Sequence, residues 1–348
     1  MVFIKKGAQM IILAIESSCD DTAAAVVQDG QKILSSVVAS QIEKHQKFGG
    51  VFPELASRNH IAAISQITES ALSQAKLRLD DIDALAVTHA PGLIGSLLVG
   101  VNFIKGLSLS TGLPVIPVHH LRSHIAANYL SDPQFSPPFL CLVVSGGHSH
   151  IVEVKDYCQF KVIGKTRDDA AGETFDKAAR SLGLPYPGGV LLDELAELGN
   201  EDAFKFSKPK LTDSGYDFSF SGLKTSIINQ IHNLQQKKAP IPTNDLCASF
   251  RKVVVDYLLG NFIKAAEDLH YRKLAIAGGV SANSLLRQNL SKICTQRDWH
   301  LSMPEKSLCG DNASMVGAQA YFEFLRGNIA NFSLNAFANM SIEDVIFF

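Results

Sequence analysis

The sequence predicts an α/β protein built as two similar mixed lobes around a central cleft. Three observations predict it. The order strand, strand, strand, helix, strand, helix, strand, helix can be read twice along the chain. A Pro- and Ser-rich stretch at residues 131–138 separates the two passages. At 348 residues the chain is also long for one core, so two units of ordinary domain size are expected.

In the first half, residues 11–16 are an apolar run that reads as a buried strand. The polar turn Ser17-Ser18-Cys19-Asp20-Asp21 leads into a second apolar run at 22–27, and the pair reads as a hairpin. Asp29-Gly30 turns the chain into a third strand at 33–39. After Gly49-Gly50, Pro53 opens a helix to about Lys76, with Leu55, Ile61, Ile64, Ile67 and Leu72 near helical spacing. A strand at 84–88 breaks at Ala90-Pro91-Gly92, and a helix at 93–109 follows, in which Gly95 and Gly100 permit close backbone approach. A fifth strand at 113–118 runs into a helix carrying His120-Leu121-Arg122-Ser123-His124.

The second half repeats the order. Strands are expected at 139–144, 151–154 and 160–163, with the turn Ser145-Gly146-Gly147-His148-Ser149 after the first. A helical region interrupted by Gly, Pro and Ser insertions runs from Asp168 to Leu269. A strand at 274–277, a Gly278-Gly279 turn, a helix at 284–294, a short strand at 301–303 and a closing helix at 311–325 complete it. The chain thus divides into an N-terminal extension at 1–9, a first lobe at 10–133, a second lobe with helical insertions at 134–327 and a tail at 328–348.

Composition narrows the function classes. A formal charge of -2 gives no global attraction to nucleic acid, so such a partner needs a local patch or help from another subunit. Cys19, Cys141, Cys158, Cys247, Cys294 and Cys309 form no CxxC pair, which excludes a zinc ribbon and a disulfide scaffold and fits reduced thiols. No signal-peptide core precedes Ile11, and no apolar run reaches membrane-spanning length without polar residues. A soluble cytoplasmic protein without a membrane partner is expected.

His120 and His124, four residues apart on a helix, project from one face and can reach a single metal ion. Leu121 stands where an H-E-x-x-H protease carries its glutamate, so a peptidase reading is weak. A third ligand is available in Cys309-Gly310-Asp311-Asn312, because the repeat makes the Asp311 helix equivalent to the histidine helix across the cleft. The competing reading is two solvated helix histidines. The turns 17–21 and 145–149 are likewise equivalent, and their backbone N–H groups suit an anion. Gly146 and Gly147 let the backbone close around a phosphate or carbonyl oxygen, or simply make a turn. In Gly278-Gly279-Val280-Ser281-Ala282-Asn283, Asn283 can bond a base or ribose, or cap the next helix. Glu173, Asp176 and Lys177 share a helix face, which suits a ribose-binding carboxylate held by a lysine as well as solvated helix-start acids. Asp193 follows Pro187-Gly188-Gly189 in the same style, and Asp20 and Asp21 either hold a second ion or position a nucleotide, or belong to a polar turn. Lysines at 205–210 and 237–238 read as solvated loops, not as a nucleic-acid patch.

Taken together, the segment Ile15-Glu16-Ser17-Ser18-Cys19-Asp20-Asp21-Thr22, the glycine-containing stretch from Pro91 to Gly100, HHLRSH, SGGH, DAAGETFDK, Tyr186-Pro187-Gly188-Gly189, GGVSAN and Asp311-Asn312 resemble one family. It is the TsaD family of tRNA N(6)-adenosine threonylcarbamoyltransferases, of bacterial type, once described as glycoproteases. The likeness runs from about Met10 to about Gly327. Ser123 departs from the glycine common in relatives, with little consequence expected between two small residues. The tail, with Phe332, Phe337, Phe347 and Phe348, lies outside the clear likeness.

The resemblance implies a duplicated actin-like ATPase (RNase H-like) fold. It implies metal ligands at His120, His124 and Asp311, with one divalent ion per subunit, Fe2+ foremost and Zn2+ as the other candidate. It implies substrate contacts at Val143, Val144, Ser145, Gly146, Gly147, Asp176, Gly189, Asp193 and Asn283. The implied reaction moves a threonylcarbamoyl group from threonylcarbamoyl-AMP to the N6 amine of the adenosine next to the anticodon, on tRNAs reading codons that begin with A. No protein nucleophile is required, so Cys19 is structural or incidental. A TsaB-type paralogue and a TsaE-type ATPase are implied partners besides tRNA. A small-molecule kinase of the same superfamily and a non-catalytic scaffold are the alternatives. Neither would need the three metal ligands.

Overall fold

The computed structural model describes residues 9–209, 211 and 215–344. In the first half, strands β1 (Ile11–Glu16), β2 (Asp21–Gln28) and β3 (Lys32–Ser40) lead through a short helix α1 (Ile42–Gln46) to α2 (Pro53–Ala75). Then come β4 (Ala84–Ala90), α3 (Ile94–Thr111), β5 (Val115–His119) and α4 (His120–Ser131). In the second half, β6 (Phe139–Val144), β7 (Ser149–Asp156) and β8 (Gln159–Lys165) precede four helices, α5 (Ala171–Ser181), α6 (Gly188–Ala196), α7 (Ser221–Gln236) and α8 (Thr243–Asp268). β9 (Lys273–Ala277), α9 (Ser284–Arg297), β10 (His300–Ser302) and α10 (Ala313–Leu325) follow. The helix α1 was not anticipated; its five residues are too few for a periodic pattern.

The duplication is visible in the pairing. One sheet has the order β3-β2-β1-β4-β5 and the other β10-β9-β6-β7-β8, which is the same order counted from each half's first strand. In both, the first three strands are antiparallel and the last two join in parallel. The central strands β1 and β6 are almost wholly buried, which is why they read as unbroken apolar runs and not as alternating ones.

Each closing helix packs on the other half's sheet. Ile12 and Ala14 of β1 face Met315, Val316 and Ala320 of α10. Leu13 and Ile15, one residue out of phase, face α2 and α3 through Ile64, Leu97 and Val101. Cys141 and Val143 of β6 face Leu121, Ile125 and Tyr129 of α4, whereas Leu140, Leu142 and Val144 face the α5–α8 side. Alanines at 14, 23, 25, 84 and 86 make room for α10. Gly317 completes the fit, since a Cβ there would lie 2.7 Å from Val27 Cγ2. α3 is long and apolar enough to cross a membrane by length and composition, yet Leu97, Val101 and Ile104 are spent on the first lobe's core.

The tail is a packed strap. Ala330 bridges to Val115, Leu334 and Ala336 enter the first lobe's core, and Phe337 N donates to His89 O at 2.9 Å. Ile342 then joins the second lobe's core, and Val162 N donates to Glu343 Oε1 at 2.5 Å. Phe332 and Phe337 are exposed, while Phe347, Phe348 and most of the proposed N-terminal extension lie outside the described residues.

Candidate metal centre and substrate cavity

Strand β5 delivers its last residue, His119, as the N-cap of α4, with Nδ1 accepting from Leu121 N at 3.2 Å. That turn places His120 in the first helical position and His124 one turn on, their ring centroids 4.6 Å apart. Asp311 stands just before Asn312, whose Oδ1 accepts from Met315 N at 2.9 Å and caps α10. Asp311 Oδ1 is 3.6 Å from His120 Nε2 and 3.2 Å from His124 Nε2. One ligand atom from each of the three residues lies within 4.8 Å of the others.

Behind His120 is a residue that motif reading passed over. Glu16, fully buried at the end of β1, has Oε2 3.2 Å from His120 Nδ1. It also accepts from Thr88 Oγ1 at 2.7 Å and Ser18 N at 2.6 Å, and Ser18 Oγ is 3.2 Å from the same imidazole nitrogen. Burial alone would lower the His120 pKa, but Asp311 and Glu16 outweigh it and raise it to about 9. Burial would raise Asp311, but the His120 charge and the neighbouring His124 hold it well below the usual carboxylate range. Two carboxylates thus converge on one imidazole, and both ring nitrogens of His124 are buried, Nε2 with only the Asp311 carboxylate at 3.2 Å beside it and Nδ1 with no hydrogen-bond partner among the described residues. A divalent cation answers both deficits, and a carboxylate behind a ligating imidazole is the usual supporting arrangement, so the donor set fits.

The hairpin turn between β1 and β2 adds acid to the cleft. Burial pushes Asp21 up to about 7 and also raises Asp20, with neighbouring negative charge contributing in both. Among the described residues neither joins a group of three ligands, so the second-ion reading gains no support. Burial and Asp20 keep the Cys19 thiol well above its ordinary value, hence protonated and a poor nucleophile. Burial raises the Tyr186 phenol, and the negative charges of Asp20 in the first lobe and Asp176 in the second add to it.

In the second lobe a cavity of about 410 Å3 gathers Gly146, Asp176, Gly189, Asp193 and Asn283. Val143, Val144, Ser145 and Gly147 do not line it. The two valine side chains are fully buried in opposite cores, and Ser145 closes its turn by donating from N to His148 O at 2.8 Å. Asp176 Oδ1 accepts from Gly189 N at 2.9 Å. Lys177 does not hold it: that lysine pairs with Glu173 at 2.6 Å and Asp169 at 3.3 Å. Asn283 does cap α9, its Oδ1 accepting from Leu286 N at 3.0 Å while Nδ2 donates to Asp193 Oδ1 at 2.8 Å. Asp193 in turn accepts from Ser284 N at 2.9 Å and from buried Arg251 Nη1 at 2.9 Å. Asp193 therefore orients Asn283, and Arg251 orients Asp193. Arg251 is the one charged residue of α8 that is buried, but in the sequence it is one of several charges on that helix, so nothing there singled it out. Lys306, also overlooked, is the one cation among the described residues lining the cavity.

A model of the family described as "TsaD: tRNA N6-adenosine threonylcarbamoyltransferase" matches residues 32–318. A tRNA N6-adenosine threonylcarbamoyltransferase of Clostridium perfringens (strain SM101 / Type A) is 52% identical over 332 residues, covering 95% of this chain and 98% of the relative. Its namesake in Clostridium botulinum (strain 657 / Type Ba4) is 50% identical over 331 residues, covering 95% and 97%. Among solved structures, HypF of T. kodakarensis superposes with a TM-score of 0.62 at 13% identity, over 94% of this chain and 49% of that one. Component A of the Acidaminococcus fermentans (R)-2-hydroxyglutaryl-CoA dehydratase gives 0.53 at 14% identity, over 90% and 98%. These distant likenesses bear on the fold alone, which is the duplicated actin-like one. With the family model covering most of its length and relatives half identical end to end, the chain belongs to the TsaD family of tRNA N6-adenosine threonylcarbamoyltransferases.

Proposed function

We propose that the protein transfers the threonylcarbamoyl group of threonylcarbamoyl-AMP to the N6 amine of the adenosine adjacent to the anticodon in tRNAs that read codons beginning with A. The amine adds to the carbamoyl carbon, and the bond from that carbon to the adenylate phosphate oxygen breaks, releasing AMP. The observation that carries this reading is the meeting of His120, His124 and Asp311 in a chain whose second lobe also holds a nucleotide-sized cavity. At about 410 Å3 the cavity can take an adenylate, with Asp176 and Asn283 for its ribose and base. The N–H groups of Gly146 and Gly147 stabilise charge developing on the carbamoyl oxygen. His120, His124 and Asp311 hold one divalent ion, Fe2+ foremost and Zn2+ as the other candidate. Such an ion, when bound, supplies Lewis acidity and a template for carbonyl oxygens. Cys19 stays protonated and forms no covalent intermediate. The protein works in the cytoplasm with a TsaB-type paralogue and a TsaE-type ATPase, which make the tRNA surface composite and so overcome the chain's slight negative charge.

The test is transfer of labelled threonine to unmodified tRNA, with threonylcarbamoyl-AMP supplied and bacterial partner proteins added. Label is expected with the wild type and not with folded Asp311→Ala. Equal turnover in the two would remove the metal from the mechanism, and no label with either would remove the reaction itself.

A further inference from the structure

We infer that Arg122 is a positioning residue for the metal ligands, holding the helix of His120 and His124 in register with the segment that carries Asp311. The inference rests on the metal reading proposed above. All three ligands come from two elements, α4 and the residues just before α10. Whatever fixes one helix against the other therefore fixes the ligand spacing.

Arg122 lies midway between the histidines and, two residues from each, leaves α4 on the opposite side. It is 5% exposed. Its Nη1 donates to Glu323 Oε1 of α10 at 3.1 Å. Its Nε and Nη2 donate to Ile342 O at 3.0 and 2.8 Å, and Nη2 donates to Asp344 O at 2.5 Å. The guanidinium also sits 5.0 Å above the Phe160 ring of β8. One side chain thus ties the ligand helix to α10, to the C-terminal strap and to the second sheet.

Glu323 is itself fixed, accepting from Gln319 Nε2 at 3.0 Å and Asn328 Nδ2 at 3.1 Å. The strap grips α4 a second time at His119, whose Nε2 is 3.3 Å from Met340 O. Apolar packing brings α4 and α10 together but is non-directional and tolerates sliding. A planar guanidinium with four directed bonds does not tolerate it. The Glu323 carboxylate also neutralises a cation that would otherwise stand unpaired behind a cation site.

The experiment is titration of the metal-free full chain with Co2+, read by its visible d–d absorption and by competition with a chelator. Arg122→Leu alone leaves Glu323 buried and unpaired and endangers folding. The double variant Arg122→Leu with Glu323→Leu removes both charges, and Arg122→Lys keeps the charge while losing the fork. Both are expected to bind Co2+ about tenfold or more weakly, with an altered absorption envelope. Wild-type affinity and spectrum in the double variant overturn the inference. If the double variant fails to fold, the same result in Arg122→Lys overturns it. A wild-type chain that binds no Co2+ fails the metal reading first, and this inference with it.

Discussion

Glu16 and His120 are joined at 3.2 Å through Oε2 and Nδ1, on the side of the imidazole away from Asp311. The pairing holds a proton on Nδ1, so loss of the second ring proton exposes the Nε2 lone pair toward Asp311 and His124, the tautomer a metal would require. Glu16→Gln keeps the volume and, with its amide oxygen accepting from Ser18 N, replaces the charged Oε2 beside Thr88 and His120 by an NH2 group. Affinity for Zn2+ is expected to fall about 10- to 100-fold in a protein of unchanged circular dichroism. Chelator competition checks it, and an unchanged affinity would mean that His120 is oriented by something else.

Mild acid should destabilise the protein, because buried histidines must take up protons on unfolding. Burial holds His89 and His150 at about 4, below the ordinary value of 6.5. The sign follows from neutral imidazole being preferred in the folded state: the contribution is present above about 6.5 and is lost as pH falls toward 4. Asp21, raised to about 7, and Asp20 and Asp176, also raised by burial, work in the opposite sense. Burial lowers His60, His119 and His148 as well, so the histidines prevail. Urea midpoints measured at intervals from pH 7 to pH 4.5 are expected to drop steadily, and His150→Gln should flatten the slope.

Lys306 is the one cation among the described residues lining the cavity, and on the proposed function it faces the adenylate phosphate. Lys306→Ala is expected to raise KM for threonylcarbamoyl-AMP several-fold and to leave kcat near the wild-type value, as for an interaction equal in ground and transition states. A fall in kcat at constant KM would assign it a different role.

Gly278 joins β9 to the turn below Asn283 with φ +87, and a Cβ there would lie 2.3 Å from Val144 O. Backbone strain and a clash with a fixed carbonyl act together. Gly278→Ala should cost about 2 to 4 kcal/mol in urea unfolding. Gly279→Ala, where a Cβ meets nothing within 4 Å, should cost far less.

The sequence was legible where burial writes a pattern. β1 up to Ile15 and the whole of β6 are apolar because both faces are covered, and the same strand order recurs because each half makes the same sheet. Periodicity says which face of a helix is buried but not which sheet buries it, so the exchange of α4 and α10 between lobes was hidden. The ligand spacing of His120 and His124 is local and therefore readable. Glu16 is not, because an acid ending an apolar strand also reads as the first residue of a turn. Its counterpart in the repeat is Val144, the last residue of β6, and that contrast was the available clue. Asn283 illustrates the reverse: its helix-cap chemistry was readable, but its bond to Asp193 depends on where α6 lies.

The exchanged helices also set a timetable for synthesis. The face of the first sheet formed by Ala14, Ala25, Ala86 and Ile116 is covered by Met315, Val316 and Ala320, residues translated only after every strand of the second sheet. A nascent chain that has completed its first five strands still presents a bare apolar sheet, and it does so until α10 clears the ribosome. The first lobe can close only its other face, where Leu13 and Ile15 meet Ile64, Leu97 and Val101. Chains released before Ala313 should therefore associate with chaperones or aggregate, and His120 and His124 cannot meet Asp311 until the second lobe's strands have all been made.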